Sequence, residues 1–526
     1  MSSPSAPVRP AARQRLVLCV LVLSQLLIWI DNTILGAAFE TLADPRRGLG
    51  ATPDQLQWAS GAYTLVFATF IFTAGAIGDR IGHRNVLVAG MVVFGASSVW
   101  AAYPADADQL VAARAVMGLG GALIMPATMA ILTLTFTGPA RAGAFGVFSA
   151  ASGMGIAAGP VLAGVLLGSF WWGSIFLVNV PVAAIAAVAA LRLLPNHRSP
   201  DPRRFDVAGP LLSIAALGLL AYGLIRAGQV ASWSRPDVWA PAALGLLLLA
   251  AFIRLELRLA APSFDPRLFR DRTFAIGHVA LALLFMALTA SSFYFAFYMQ
   301  GARGYTPLGA AMVGLPPAVG VMIGGPVANR LIQRVPLRIM GTVTLAVTTV
   351  TMGAAVWYGL DTPVPAVMVV GFVQGLAIGM TIAPITVTVM GGLPPERAGA
   401  GSAVNNTVRQ GGSLLGVALG GTVMSIVYRD TIRPDLADAP AALRDKASTS
   451  AELARAAAAE AHRPDIVQAA DHAFMHAMHT TSAFVAATVA LAAVLMWTGL
   501  RRRGADHPAA QAADWPAQEA IAEPTQ

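Results

Sequence analysis

Charge is scarce in these 526 residues. Asp, Glu, Lys and Arg together make up 12% of the chain, where a soluble domain carries about 25%. Apolar residues reach 56% before glycine is counted, and the mean hydropathy is +0.65. So few charges cannot cover a water-facing surface. A soluble enzyme, a disordered chain and a nucleic-acid binder are therefore excluded. Cysteine is limited to Cys19, which rules out a disulfide framework and a cysteine-based metal site. Lysine is limited to Lys446, a bias of genome composition that is silent about function. No cleavable signal peptide is expected. The first apolar run follows Arg9, Arg13 and Arg15 but continues well past a signal core, and no small-residue cleavage site ends it. No G-x4-G-K-[ST] loop occurs, so ATP is not the direct energy source.

What the chain has instead is long apolar runs. A membrane helix needs about 20 mostly apolar residues, and fourteen runs qualify: 15–39, 56–78, 86–104, 107–132, 141–166, 170–194, 207–226, 238–258, 274–299, 308–331, 337–359, 363–391, 398–427 and 480–500. They are too long, and alternate too little, for transmembrane strands. Arginine then sets direction. Arg80, Arg84, Arg141, Arg198, Arg203, Arg204, Arg258, Arg267, Arg270, Arg272, Arg330, Arg334, Arg338, Arg397 and Arg501–Arg503 all fall on one side, with the N-terminal tail. The opposite loops carry Asp44, Asp54, Asp106, Asp108, Asp237 and Asp361. The positive-inside rule then makes both termini cytoplasmic. It also gives the net charge of +8 a membrane-facing explanation.

The two halves echo one another. Arg141-Ala-Gly143-Ala recurs as Arg397-Ala-Gly399-Ala, Gly75…Arg80…Arg84 as Gly325…Arg330…Arg334, and Gly118-Leu119…Pro126 as Gly375-Leu376…Pro384. Six spans, two extra and six more give an all-α polytopic membrane protein built as a duplicated bundle, the usual plan of a transporter. Residues 1–194 form the first six-helix bundle and 195–272 the two extra helices with their links. Residues 273–503 form the second bundle, interrupted by an outer loop at 428–479, and 504–526 a disordered cytoplasmic tail. Within the loop, 451–461 is alanine-rich with interspersed Glu and Arg and reads as a surface helix.

Three segments carry a family resemblance. Gly75-Ala-Ile-Gly-Asp79-Arg80-Ile-Gly82-His-Arg84 ends the second span. It resembles the G-x-x-x-D-R-x-G-x-R signature of the major facilitator superfamily, which in that family latches the cytoplasmic side of the outward-open state. In the second copy Asn329 replaces the aspartate and Ile332 the glycine, so the charged latch is single. Gly155-Ile-Ala-Ala-Gly159-Pro160-Val-Leu-Ala-Gly164 in span 5 physically allows close helix packing and a bend. It resembles the glycine-proline motif of proton-linked drug antiporters. The third segment is a pair of buried charges. Asp31 lies about eight residues, or ~12 Å, below the outer end of span 1, and Arg114 sits at a similar depth in span 4. Charges at that depth are costly and usually functional. Asp31-Asn32-Thr resembles the span-1 acidic motif of fourteen-span drug exporters, and Leu110-x3-Arg114-x3-Gly118-x-Gly120 the span-4 arginine motif of proton-coupled members. A structural ion pair would account for the same two residues.

Other polar and aromatic positions are candidates for the substrate cavity: Trp29, Asn32, Tyr63, Tyr294, Tyr298, Gln374, Asn405 and Arg409, the last equally suited to bracing its helix. Asn179, before Pro181, is a further buried polar position, and Glu40 is interfacial. His472, His476 and His479 share one helical face before the last span. Without an accompanying carboxylate or cysteine motif they read as a solvated helix entry, not a metal site. The resemblance implies the fold of the major facilitator superfamily, no catalytic residue and no cofactor, with the proton gradient as energy source. It implies proton-coupled efflux of lipophilic drugs or antibiotics across the cytoplasmic membrane by a monomer in contact with lipid. An exporter or symporter of one metabolite or lipid would share the fold. Topology is directly testable: in a Cys19-free chain, a cysteine at position 455 is expected to label from outside intact cells. Labelling only after permeabilisation would overturn the fourteen-span order.

Overall fold

The structure is a computed structural model that describes residues 10–136, 138–196, 198, 208–259, 262, 264–332, 334–391, 393 and 398–500. The expected tail at 504–526, and Arg9, Arg203, Arg204, Arg397 and Arg501–Arg503, lie outside the described residues. The helices run α1 (Pro10–Ala37), α2 (Phe39–Ala43), α3 (Pro53–Ile81), α4 (His83–Ala102), α5 (Ala107–Thr135), α6 (Gly138–Ser169), α7 (Ser174–Leu177), α8 (Asn179–Leu193), α9 (Ala208–Val230) and α10 (Pro236–Arg258). After them come α11 (Arg272–Ala296), continued by a π-helix (Phe297–Ala302), then α12 (Pro307–Val313), α13 (Leu315–Leu331), α14 (Leu337–Gly353) and α15 (Val364–Gly391). The last are α16 (Ala398–Ile432), α17 (Ala441–Thr449), α18 (Ala451–Glu460) and α19 (Pro464–Gly499). No strand occurs among the described residues. Thirteen helices are long and apolar enough to cross a membrane, and the fourteenth span is α3, bent by 50° between Ile71 and Thr73. The Thr69 hydroxyl donates back to the Leu65 carbonyl at 2.8 Å just before the bend, a bond that commonly curves helices. This is a multi-pass membrane protein.

The repeat read in the sequence is repeated in the packing. In the first half α1 pairs with α6, α3 with α5, and α4 with α5 and α8. In the second half α11 pairs with α16, α13 with α15, and α14 with α15 and α19. The α9–α10 pair lies outside both bundles, with α9 along the seam of α3 and α16, where Thr422 Oγ1 donates to the Leu224 carbonyl at 2.7 Å. In hydrocarbon the packing gain between such helices comes from close backbone approach. Gly155 and Gly159 supply it between α6 and α1. A Cβ at Gly155 would lie 2.7 Å from Trp29 Cβ, and one at Gly159 would lie 3.0 Å from the Ile30 carbonyl oxygen.

The halves meet firmly at the end that carries Glu40. Gln300 Nε2, on the π-helix, donates to the Ala37 carbonyl at 2.9 Å. The Phe39 ring packs 5.3 Å from Phe293 and 6.4 Å from Phe297. Above this joint the expected outer loop is largely helical. α16 continues to Ile432 and α19 begins at Pro464, well before the expected 480. The stretch expected as a surface helix is α18, and it is amphipathic: Ala451, Ala454, Ala457 and Ala458 are buried against the bundle. Alanine is small enough to lie flat there, and Arg455 Nε secures the layer with a 2.9 Å bond to Asp471 of α19. Position 455 is therefore a poor labelling site, and Glu460, whose side chain is 59% exposed, is the accessible one on the same helix. Glu40 lies beneath, 3.6 Å from Arg47. Burial pushes its carboxyl above the usual range, against the pull of Arg47.

Gly159→Val is expected to cost about 1–3 kcal/mol through overpacking. That would be seen as a fall of several degrees in the melting temperature of the purified protein in detergent. An unchanged Tm would show that α1 and α6 separate without penalty.

Candidate functional site

Asp31 lies about two turns before the end of α1 at Ala37 and is 0% exposed. Its position on the helix faces α5 and α8. Arg114, 2% exposed, comes two turns into α5, which starts on an Asp106 N-cap whose side chain accepts from the Gln109 amide. Arg114 Nη1 donates to Asp31 Oδ2 at 2.6 Å, and Asn179 Nδ2, the first residue of α8, donates to Asp31 Oδ1 at 3.0 Å. Each carboxylate oxygen therefore has its own donor. Arg114 spends its remaining capacity on the same spot. Its Nε donates to the Ala59 carbonyl at 3.3 Å, and its guanidinium carbon lies 4.5 Å from the centre of the Tyr63 ring, a cation–π contact. Tyr63 reaches it because Gly118 lets the α5 backbone lie directly on the Tyr63 main chain. Four helices of the first half thus meet at one ion pair. Removing one partner of such a pair costs about 3–5 kcal/mol, since the other is left buried and uncompensated. A buried carboxyl with a hydrogen-bond donor on each oxygen is the chemistry available at this point.

The structure brings Asp31 and Arg114 together, as their shared depth suggested, and adds two residues. Asn179 was legible only as a buried polar residue before Pro181; its contact with Asp31 joins positions 148 residues apart. Tyr63 was a cavity candidate, but at 1% exposure it covers Arg114 instead. Tyr294 and Tyr298 are likewise buried, at 4% and 0%. Tyr298 belongs to the joint at the Glu40 end, its hydroxyl donating to the Gly359 carbonyl at 2.8 Å. Trp29 packs against α6, whereas Asn32 is exposed. Asn32 shares a stripe of α1 with Gly36, beside which there is open space. Gln374 is half-buried in α15 and Asn405 buried in α16. Arg409 stacks 4.4 Å over Phe285 of α11, the bracing role. His479 Nε2 lies 2.7 Å from the Tyr358 carbonyl, while His472 and His476 are exposed.

At the opposite end of the bundle the Asp79 segment forms the turn between α3 and α4. Gly82 has a φ of +101°, a conformation open to glycine, and Asn196 fills the space a side chain there would need. His83 Nε2 lies 3.4 Å from Asp79 Oδ1, and Asn196 Nδ2 donates to the Ile81 carbonyl at 3.3 Å, tying the end of the first bundle to this turn. Arg80 is exposed and Arg84 half-buried. Arg84 Nη2 lies 3.4 Å from Asn85 Oδ1. In the antiporter-like segment, Gly155 and Gly159 face α1, Pro160 lies within α6, and Gly164 abuts Leu308 of α12 in the other half.

Comparison with known proteins agrees with this geometry. Residues 21–417 match the Major Facilitator Superfamily. The chain is 31% identical to the methyl viologen resistance protein SmvA of Salmonella typhimurium over 505 residues, covering 93% of this chain and 99% of that one. It is also 31% identical to the multidrug efflux pump LfrA of Mycolicibacterium smegmatis, covering 94% of this chain and 98% of the relative. Among solved structures, a bacterial homologue of the human lysosomal transporter Spinster, inward-facing and occupied, superposes with a TM-score of 0.65 at 15% identity, covering 94% of this chain and 97% of that one. The chain belongs to the major facilitator superfamily, and it is a transporter, not an enzyme.

Asp79→Asn is expected to impair transport while leaving membrane insertion and Tm unchanged, because the half-buried carboxylate lies at a turn outside the core. Wild-type transport at equal expression would show the segment to be inert.

Proposed function

We propose that this member of the major facilitator superfamily exports small lipophilic compounds, drugs and antibiotics among them, across the cytoplasmic membrane in exchange for protons. The observation that carries the reading is the fully buried Asp31–Arg114 pair in a duplicated helical bundle. The relatives named for drug resistance support the substrate class. The one-sided arginines support an orientation with the Asp79 end in the cytoplasm and the Glu40 end outside. In that orientation the structure is closed to the outside by Gln300, Phe39, Phe293 and Phe297.

Asp31 is then the proton carrier. With the outer joint closed, Arg114 and Asn179 each donate to one of its oxygens, an arrangement suited to the carboxylate. When the bundle opens outward, any loosening of the Arg114 bond leaves a carboxylate in a low-dielectric site, and burial drives it to take a proton. Return to the inward state restores Arg114 to the carboxylate and expels the proton to the cytoplasm. Substrate leaves on the outward stroke and the proton enters on the return, which makes the cycle an exchange. No cofactor is needed, and a single chain suffices. Asn32, on the open stripe one residue from Asp31, would meet the substrate.

Asp31→Asn keeps the size and removes the titration. It is expected to abolish substrate-induced proton release in proteoliposomes, down to the level of empty vesicles, while downhill substrate exchange persists. Proton release that survives in this variant would move the carrier elsewhere, with Glu40 the next acid along the chain.

A further inference from the structure

Asp31 is wholly buried, so both of its protonation states must find their hydrogen bonds inside the protein. The ionised state does so fully: Oδ2 accepts from Arg114 Nη1 at 2.6 Å and Oδ1 from Asn179 Nδ2 at 3.0 Å. Both partners are donors. A protonated carboxyl carries an O–H, and that O–H has no acceptor in this arrangement. Arginine cannot accept a hydrogen bond in any protonation state it reaches in a protein, but an asparagine amide can, because its two ends are an oxygen and an NH2 of nearly equal size.

We propose that Asn179 is a positioning residue that serves Asp31 in both protonation states by turning its amide over. It donates through Nδ2 to the carboxylate and accepts through Oδ1 from the acid. The inference rests on the reading of Asp31 as the proton carrier. Arg114 stabilises one state only, and Asn179 makes the other tolerable in a site closed to water. The residue is placed for this role. It opens α8 two residues before Pro181, and at 1% exposure it is held against α1 with no solvent competing for its amide. The other groups facing Asp31 cannot substitute. Arg114 on α5 is a permanent cation, and Tyr63 on α3 presents its ring to Arg114 while its hydroxyl lies against Gly121 of α5. The helices packed on α1 otherwise contribute Glu40 on α2, Asp108 on α5, Arg141 on α6, Arg192 on α8, and Arg272, His278 and Tyr294 on α11 as titratable or charged groups. Glu40 stands on the separate helix α2. Asp108 accepts from Gln55 Nε2 at 2.9 Å, His278 Nδ1 lies 2.9 Å from the Phe274 carbonyl, and Arg141 Nε donates to the Phe136 carbonyl at 2.8 Å, while Arg192 and Arg272 lie at helix ends.

The test follows the carboxyl of Asp31 itself. Infrared difference spectra of the purified protein, recorded across a pH titration, should show a protonated-carboxyl C=O band that D31N removes. In N179L, which keeps the branched shape and deletes both polar ends of the amide, the band should move to higher wavenumber, because the acid has lost its hydrogen-bond acceptor. Substrate-driven proton release in proteoliposomes should fall in the same variant. N179A gives a second, smaller deletion should N179L fail to reach the membrane, and its Tm and substrate binding separate a folding defect from a shifted proton. An Asp31 band in the wild type that neither variant moves would overturn the role of Asn179 and leave Asp31 as carrier. The absence of any Asp31-dependent band in the wild type would overturn both.

Discussion

One buried charge pair constrains the first half of this molecule. A carboxylate and a guanidinium in the middle of a hydrocarbon layer are tolerated only when each hydrogen-bonding atom has a partner, since desolvation costs several kcal/mol per ion. Here those partners come from four different helices: Asp31 from α1, the Ala59 carbonyl and Tyr63 ring from α3, Arg114 from α5 and Asn179 from α8. The helices cannot shift relative to one another without exposing a charge. The glycines that let α3 and α5 approach, Gly118 above all, are thereby part of the electrostatics, because they bring the Tyr63 ring over the guanidinium.

The second half shows what happens when that constraint is absent. The sequence match of Gly118-Leu119 to Gly375-Leu376 sets Gly371 of α15 where Arg114 stands in α5. Instead of a guanidinium, α15 presents bare backbone, and a Cβ at Gly371 would lie 2.8 Å from Pro317 Cγ of α13. Close contact between helices has replaced a charge, and α13 and α15 form the most extensive pair in the structure. The duplicated fold therefore has one polar and one apolar version of the same helix arrangement. Arg409, a half-buried cation of the second half, stacks over Phe285 and has no carboxylate opposite it among the described hydrogen bonds and ion pairs.

Much of this was legible from residue order alone. Span number follows from run length, because hydrocarbon thickness fixes it. The meeting of Asp31 and Arg114 follows from rise per residue, which fixes depth. What rise per residue cannot supply is azimuth between helices, so Asn179 could be recognised as buried but not assigned to Asp31. For the same reason Tyr63, Tyr294 and Tyr298 could be named as aromatic candidates but not placed, and in this arrangement all three are buried. The stretch 428–479 misled for a different reason. Its polar residues mark water contact on one side only, and alanine, neutral in a hydropathy reading, does the burying on the other. α3 fell short as a straight span because a local bend between Ile71 and Thr73 leaves no trace in composition.

The asymmetry between the halves bears on how the molecule can move. At the Glu40 end the halves touch through Ala37 of α1 and Phe39 of α2, a few residues beyond Asp31 on the same stretch of chain. Their partners are Gln300 and the phenylalanines at the end of α11. Opening that joint pulls on the outer end of α1, and α1 is the helix that carries Asp31, while Arg114 and Asn179 are anchored on α5 and α8. The π-helix at Phe297–Ala302 adds compliance on the other side, since such insertions loosen the regular hydrogen-bond ladder. Movement of the Ala37 contact is thus delivered to the ion pair along α1 itself. The shortest mechanical route from the outer face of this protein to Asp31 is α1 itself.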